Sequence, residues 1–199
     1  MKRFAPLALL TLIAVSAQSQ TFTNVSFEST IPGSSATFTS SGNSFTANLT
    51  GFELNASNLS GDIAWIYNFD SNPVPAFSAV TIEIGGQTIN GVVDILGNEK
   101  IFDMGTGTPV QVADGVIDGS FAGGPSFESW TYTQTFVFDH PVTLGQAQKD
   151  ILHMDGYFGT GITDVNYIKQ TFTPVPEPAT MAVMGLGVAA LIRRRRQNR

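Results

Sequence analysis

Trp130-Thr131-Tyr132-Thr133-Gln134-Thr135-Phe136-Val137-Phe138-Asp139 is the stretch whose reading decides the fold class. Its even positions carry Trp, Tyr, Gln, Phe and Phe, and its odd positions carry Thr, Thr, Thr, Val and Asp. A period of two puts one set on a core and the other in water, which is the pattern of a half-buried strand. Ile63, Trp65, Tyr67 and Phe69 repeat it, as do Phe45, Ala47 and Leu49 against Thr46, Asn48 and Thr50. Val80, Ile82 and Ile84 repeat it again. Between Thr21 and Thr173 no segment has the 3.6-residue period of an amphipathic helix, and Thr, Ser, Gly, Asn and Phe dominate. That mixture favours strands and turns.

Turn-forming pairs separate the runs: Gly42-Asn43, Asn72-Pro73, Gly85-Gly86, Gly97-Asn98, Gly105-Thr106-Gly107, Gly123-Gly124-Pro125 and Gly159-Thr160-Gly161. Gly85-Gly86 is expected to close a tight hairpin, since both residues reach positive φ without strain. The reading is about nine to eleven short strands. Without crossover helices the pairing is antiparallel, so the expected fold is all-β: a two-sheet sandwich, jelly-roll-like, with Phe and Trp filling the core. A β-helix is the rival, but no fixed-period repeat supports it.

The formal net charge of −6 over 199 residues conceals an uneven distribution. Between residues 18 and 176 three lysines face 15 acids, a net −12. Phosphate backbones repel such a body, which argues against nucleic acid as a partner. The positive charge sits at the ends: Lys2 and Arg3 in front, Arg193, Arg194, Arg195, Arg196 and Arg199 behind. There is no cysteine, so disulfides, thiolate metal sites and cysteine nucleophiles are excluded.

Residues 1–20 read as a secretory signal peptide, with Lys2 and Arg3 before an apolar run from Phe4 to Val15 and small residues at Val15-Ser16-Ala17. Residues 21–173 form the body. Residues 174–178, Pro174-Val175-Pro176-Glu177-Pro178, are a stiff extended spacer. Residues 179–192 run without a charge, and 193–199 are the basic tail. A helix of that length spans about 21 Å, against a hydrocarbon core of about 30 Å. It is a short transmembrane helix, marginal as a permanent anchor, and the positive-inside rule keeps its arginines cytoplasmic.

Val175-Pro176-Glu177-Pro178, the hydrophobic stretch Ala179–Ile192 and the basic end Arg193–Arg199 together resemble the PEP-CTERM sorting signal of Gram-negative bacteria. The resemblance covers about 25 residues at the C-terminus. It implies recognition by an exosortase, a membrane cysteine protease to which transpeptidase activity is ascribed, with cleavage near the Pro-Glu-Pro motif. Pro176, Glu177 and Pro178 are then the recognition element, and Arg193, Arg194, Arg195 and Arg196 the membrane stop. It also implies a producer of exopolysaccharide, and a chain held in the membrane transiently or permanently before reaching the cell surface or the medium.

Candidate chemistry in the body is sparse. His140 and His153 match no zinc spacing. No Gly-x-Ser-x-Gly nucleophile elbow occurs, and Gly185-Leu186-Gly187 lacks the strand that a dinucleotide loop needs. Calcium is the one cofactor the acids suit, with Asp114 and Asp118 in one glycine-containing segment and Asp150 and Asp155 in another. The alternative is that Asp-Gly simply marks turns. Trp65, Trp130, Tyr132 and Tyr157 admit two readings: a stacking platform for sugars, or core, since most lie on the apolar phase of strands. Three functions follow in order of fit. The first is a non-enzymatic exported surface or matrix protein. The second is a carbohydrate-binding module acting on secreted exopolysaccharide. The third is a surface-polymer hydrolase with paired acids in a cleft.

Overall fold

The computed structural model describes residues 20–55, 59–72, 75–155 and 161–176. Eleven strands and no helix occur among them. They are β1 (Thr21–Ser29), β2 (Ser35–Ser41), β3 (Ser44–Thr50), β4 (Glu53–Leu54), β5 (Ser60–Asp70) and β6 (Phe77–Ile89). There follow β7 (Val92–Asp103), β8 (Val110–Ala122), β9 (Glu128–Val142), β10 (Leu144–Asp155) and β11 (Ile162–Pro174). The first sheet has the order β1-β5-β10-β7-β8, and the second β2-β3-β11-β6-β9, with β4 also beside β11. Every pairing is antiparallel. The expected all-β, antiparallel two-sheet sandwich is therefore the observed one.

The alternation that decided the fold is realised in β9. Trp130, Phe136 and Phe138 are buried, Tyr132 is half-buried, and Thr131, Thr133, Thr135 and Val137 face out. Ile63, Trp65, Tyr67 and Phe69 on β5 are wholly buried, as are Val80, Ile82 and Ile84 on β6, and Phe45, Ala47 and Leu49 on β3 are buried too. Their rings close the space between the sheets. Phe22 stacks on Phe45 at 4.5 Å, Phe45 meets Tyr67 edge-on at 4.7 Å, and Phe69 meets Phe172 at 4.5 Å. The outer face of the second sheet carries many of the threonines. There hydroxyls pair across strands, Thr81 with Thr135 at 2.8 Å and Ser44 with Thr171 at 2.9 Å.

Four places with turn-forming pairs are strand instead. Gly85-Gly86 does not close a hairpin; β6 runs straight through it. These glycines make room. A Cβ on Gly85 would strike the Tyr167 ring, and one on Gly86 would strike the Asp164 carbonyl and Trp130. The β11 register slips at this point, between Val165 and Tyr167, so the pair serves a bulge and a close approach. Gly97-Asn98 lies inside β7, where a Cβ on Gly97 would strike the Asp150 carbonyl. Asp114-Gly115 and Asp118-Gly119 lie inside β8, their glycines giving way to the rings of Phe136 and Tyr132. By contrast Gly42-Asn43 and Gly105-Thr106 are turns as expected. Pro141 sits within β9, which tolerates it because β9 is an edge strand with one unpaired side.

The signal peptide (1–19 of its 1–20), the hydrophobic segment 179–192 and the basic tail 193–199 lie outside the described residues. Among the described residues no helix is long and apolar enough to cross a membrane. The start of the spacer is tied to the sandwich: Pro174 pairs with Phe77, and the Val175 N–H donates to the Ala76 carbonyl at 2.8 Å.

Candidate functional site

Two places concentrate polar chemistry, one outside the first sheet and one between the sheets. The outer place is built by register. Leu152 on β10 lies opposite Asp62 on β5 and Leu96 on β7, and Asp150 lies opposite Ala64 and Asn98. Asp62, Leu96, Gly97, Asn98, Asp150 and Leu152 line an open depression of about 300 Å³. The Asp62 carboxyl is raised above its ordinary range. Partial burial is the largest cause, followed by a hydrogen bond to Asp150 and the charge of Asp150. Further along the same face an amide row crosses two strands. Gln148 donates to Gln146 at 2.7 Å, and Gln146 donates to Asn68 at 3.0 Å.

Of the two aspartate pairs expected to suit calcium, Asp114 with Asp118 is spread along a strand. Asp114 and Asp118 are exposed on β8, four residues apart on the same side of a strand, and therefore about 13 Å apart along it. Calcium draws its oxygens to about 2.5 Å, so the two cannot share an ion. Asp150 lies on β10, with β7 between it and β8, and its acidic neighbour is Asp62. The Asp155 side chain lies outside the described residues. Among the described residues no three His, Cys, Asp or Glu come together as a metal site would require.

Nor do the expected aromatics form a platform among the described residues. Trp65 and Trp130 are core, Tyr132 is half-buried, and Tyr157 lies outside the described residues. Tyr132 touches Gln134 through its hydroxyl. His140 is paired with Asp103, Nε2 to Oδ2 at 3.0 Å.

The inner place was not anticipated. Glu99 on β7 and Lys149 on β10 stand directly opposite each other and point into the core, with no side-chain exposure. Lys149 Nζ is 3.5 Å from Glu99 Oε2, 4.5 Å from the centre of the Trp65 ring and 4.6 Å from that of Tyr67. Gln170 on β11 reaches across from the second sheet. It donates to Glu99 Oε1 at 2.7 Å and accepts from the Tyr67 hydroxyl. Loss of water dominates both charges. Burial raises Glu99 to about 7 against the pull of Lys149, and burial lowers Lys149 to about 8 against the pull of Glu99. The Tyr67 hydroxyl is raised well above its ordinary value by burial and by the charge of Glu99. A signal was present in the sequence. Glu99 and Lys149 both occupy the apolar phase of alternating strands, beside Ile101 and Ile151.

Comparison with known proteins locates one recognisable element. Residues 174–196 are a PEP-CTERM protein-sorting motif. The motif marks an exported protein sorted to the cell envelope. It begins at the last residue of β11. No curated protein matches the chain. Among solved structures the chain is similar to TmCBM61 in complex with beta-1,4-galactotriose, at 11% identity and a TM-score of 0.36, covering 75% of this chain and 88% of that one. It is similar to the CBM36-1 domain of a multidomain xylanase from the hindgut metagenome of Trinervitermes trinervoides, at 16% identity and a TM-score of 0.34, covering 76% and 100%. It is also similar to the mannan-recognising carbohydrate-binding module TmCBM27, at 10% identity and a TM-score of 0.33, covering 77% and 99%.

His153 provides a pH prediction. It is fully buried, with Nε2 3.1 Å from Thr163 Oγ1 and Nδ1 without a hydrogen bond. Burial lowers it from 6.5 to about 4. The unfolded chain therefore takes up the proton first as pH falls. The contribution of His153 is full above about pH 6.5 and is lost progressively toward pH 4, by roughly 3 kcal/mol. Glu99 acts in the opposite sense, since its raised value costs stability as pH rises from 4.5 to about 7. The wild type must therefore be compared with His153→Gln. In urea titrations at pH 7, 5.5 and 4, the stability difference between the two should shrink steadily with falling pH. A difference independent of pH contradicts the assignment.

Proposed function

We propose that this chain is a non-enzymatic, exported surface or extracellular-matrix protein delivered through its C-terminal sorting motif. The observation that carries this reading is the motif at 174–196, set directly against the end of β11. A folded sandwich leads without a further domain into a proline-rich segment and then the hydrophobic and basic stretches of the tail. Export begins with residues 1–20, the hydrophobic segment 179–192 holds the chain at the membrane as a short transmembrane helix, and Arg193–Arg196 stop transfer on the cytoplasmic side. An exosortase-type enzyme then acts at Pro176-Glu177-Pro178. A non-catalytic body is supported by where its three most strongly perturbed acid–base side chains besides Tyr67 lie. Glu99, Lys149 and His153 are enclosed between the sheets, away from any polymer.

Mass spectrometry of the surface-located protein tests this reading. The wild type should lack Ala179–Arg199. The variant Pro176→Ala, Glu177→Ala, Pro178→Ala should keep them and remain with the membrane fraction. A surface form that retains the tail, or a variant processed like the wild type, contradicts it.

A second reading, binding of secreted exopolysaccharide, is supported by the outer face of the first sheet. The amide row Gln148, Gln146 and Asn68 adjoins the depression around Asp150, and polyhydroxylated chains are recognised by such planar donors and acceptors. Affinity electrophoresis of the protein in the producer's own polysaccharide should show retardation. Asp150→Ala with Gln148→Ala should weaken it by at least about tenfold. Unretarded wild-type protein, or an unaltered double variant, removes this reading.

A further inference from the structure

The charged cluster between the sheets has the components of a bond-forming reaction. Lys149 is a buried amine, and its Nζ makes no hydrogen bond; its nearest charge is Glu99 Oε2 at 3.5 Å, beyond good hydrogen-bond length. Nothing but two aromatic faces and that charge holds the amine in place. Gln170 brings a primary amide across the gap from the second sheet. Its carbonyl oxygen accepts from the Tyr67 hydroxyl, and its Nε2 donates to Glu99 Oε1 at 2.7 Å. One carboxylate thus stands between amine and amide, with one oxygen toward each. Lys149, Glu99 and Gln170 are all buried among aromatic and aliphatic side chains.

We propose that the folded core joins Lys149 to Gln170 through an intramolecular amide bond between Lys149 Nζ and Gln170 Cδ, with release of ammonia. Proton transfer from Lys149 to Glu99 first gives a neutral amine and a neutral acid, a transfer eased because burial penalises both charges. The Nζ lone pair adds to Cδ as the flexible lysine stem swings toward it, a movement that breaks no hydrogen bond. The electron pair displaced onto Gln170 Oε1 is held by the Tyr67 hydroxyl, placed as an oxyanion donor. Glu99 Oε2 takes the proton lost by Nζ, and Glu99 Oε1 delivers one to Nε2. The Cδ–Nε2 bond then breaks and ammonia leaves. One N–H amine and one primary amide become one secondary amide and one ammonia, and no oxidant or metal takes part. The values of about 8 for Lys149 and about 7 for Glu99 are those of a pair that exchanges its proton readily near neutral pH. The product ties β10 in the first sheet to β11 in the second, a staple between layers for an exported chain that has no cysteine.

Peptide mapping of the full chain purified in its folded state tests this. The wild type should resist trypsin after Lys149, because the acylated amine is no longer a cleavage signal. It should also yield a branched peptide containing Lys149 and Gln170 that is lighter by one ammonia than the two linear segments combined. Cleavage after Lys149, with a linear Gln170 peptide at its sequence mass, overturns the proposal. Glu99→Gln and Gln170→Met, each checked for retained β-sheet circular dichroism, should lack the branched peptide. Its appearance at wild-type yield in Glu99→Gln overturns the role of Glu99 as proton carrier, and in Gln170→Met it overturns the assignment of the acceptor.

Discussion

The closing of two aromatic faces against each other is the constraint on which the rest of the molecule depends. Phe45 stands at its centre. From the second sheet it reaches Phe22 at 4.5 Å, Tyr67 at 4.7 Å and Trp65 at 5.3 Å on the first, and lies beside Phe38 at 5.8 Å on its own. Phe69, Phe77 and Phe172 continue the contact toward the end where β11 finishes. Stacked sheets sit about 10 Å apart, and large rings fill that gap with few side chains. The same closure removes Glu99, Lys149 and Gln170 from water. The charged cluster is thus a consequence of the aromatic core as well as a part of it.

Much of this was legible in the sequence, because period-two alternation is a local property that burial then enforces. Trp130, Phe136 and Phe138 on β9, and Ile63 through Phe69 on β5, point where their spacing says they must. The misread positions share a physical cause. Gly85-Gly86, Gly97 and the glycines after Asp114 and Asp118 satisfy local turn chemistry, yet each is placed by a neighbour distant in sequence: Asp164, Asp150, Phe136 or Tyr132. A glycine needed for close approach and a glycine needed for positive φ are identical residues until the partner strand is known. The spread of Asp114 and Asp118 follows from the same error, since acids expected at Asp-Gly turns point sideways from a strand. The facing of Lys149 and Glu99 is a matter of register between β7 and β10, which no local pattern specifies.

The two ends of the argument meet at β11. That strand lies centrally in the second sheet, carries Gln170 into the core and ends at Pro174, where the sorting motif begins. The last ladder contacts are Pro174 with Phe77 and the Val175 N–H with Ala76. Next after them stands Pro176, which has no N–H to donate to a ladder. The body is strongly acidic and the stretch that follows the Pro-Glu-Pro motif is basic.

If aromatic closure between the sheets governs the structure, its central ring carries a large share of the stability. Equilibrium urea unfolding of Phe45→Ala measures this directly. The account predicts a loss of roughly 3–5 kcal/mol relative to wild type, as for a large buried ring removed from a packed core. A loss below about 1 kcal/mol would show that the two sheets are held together by something other than this contact.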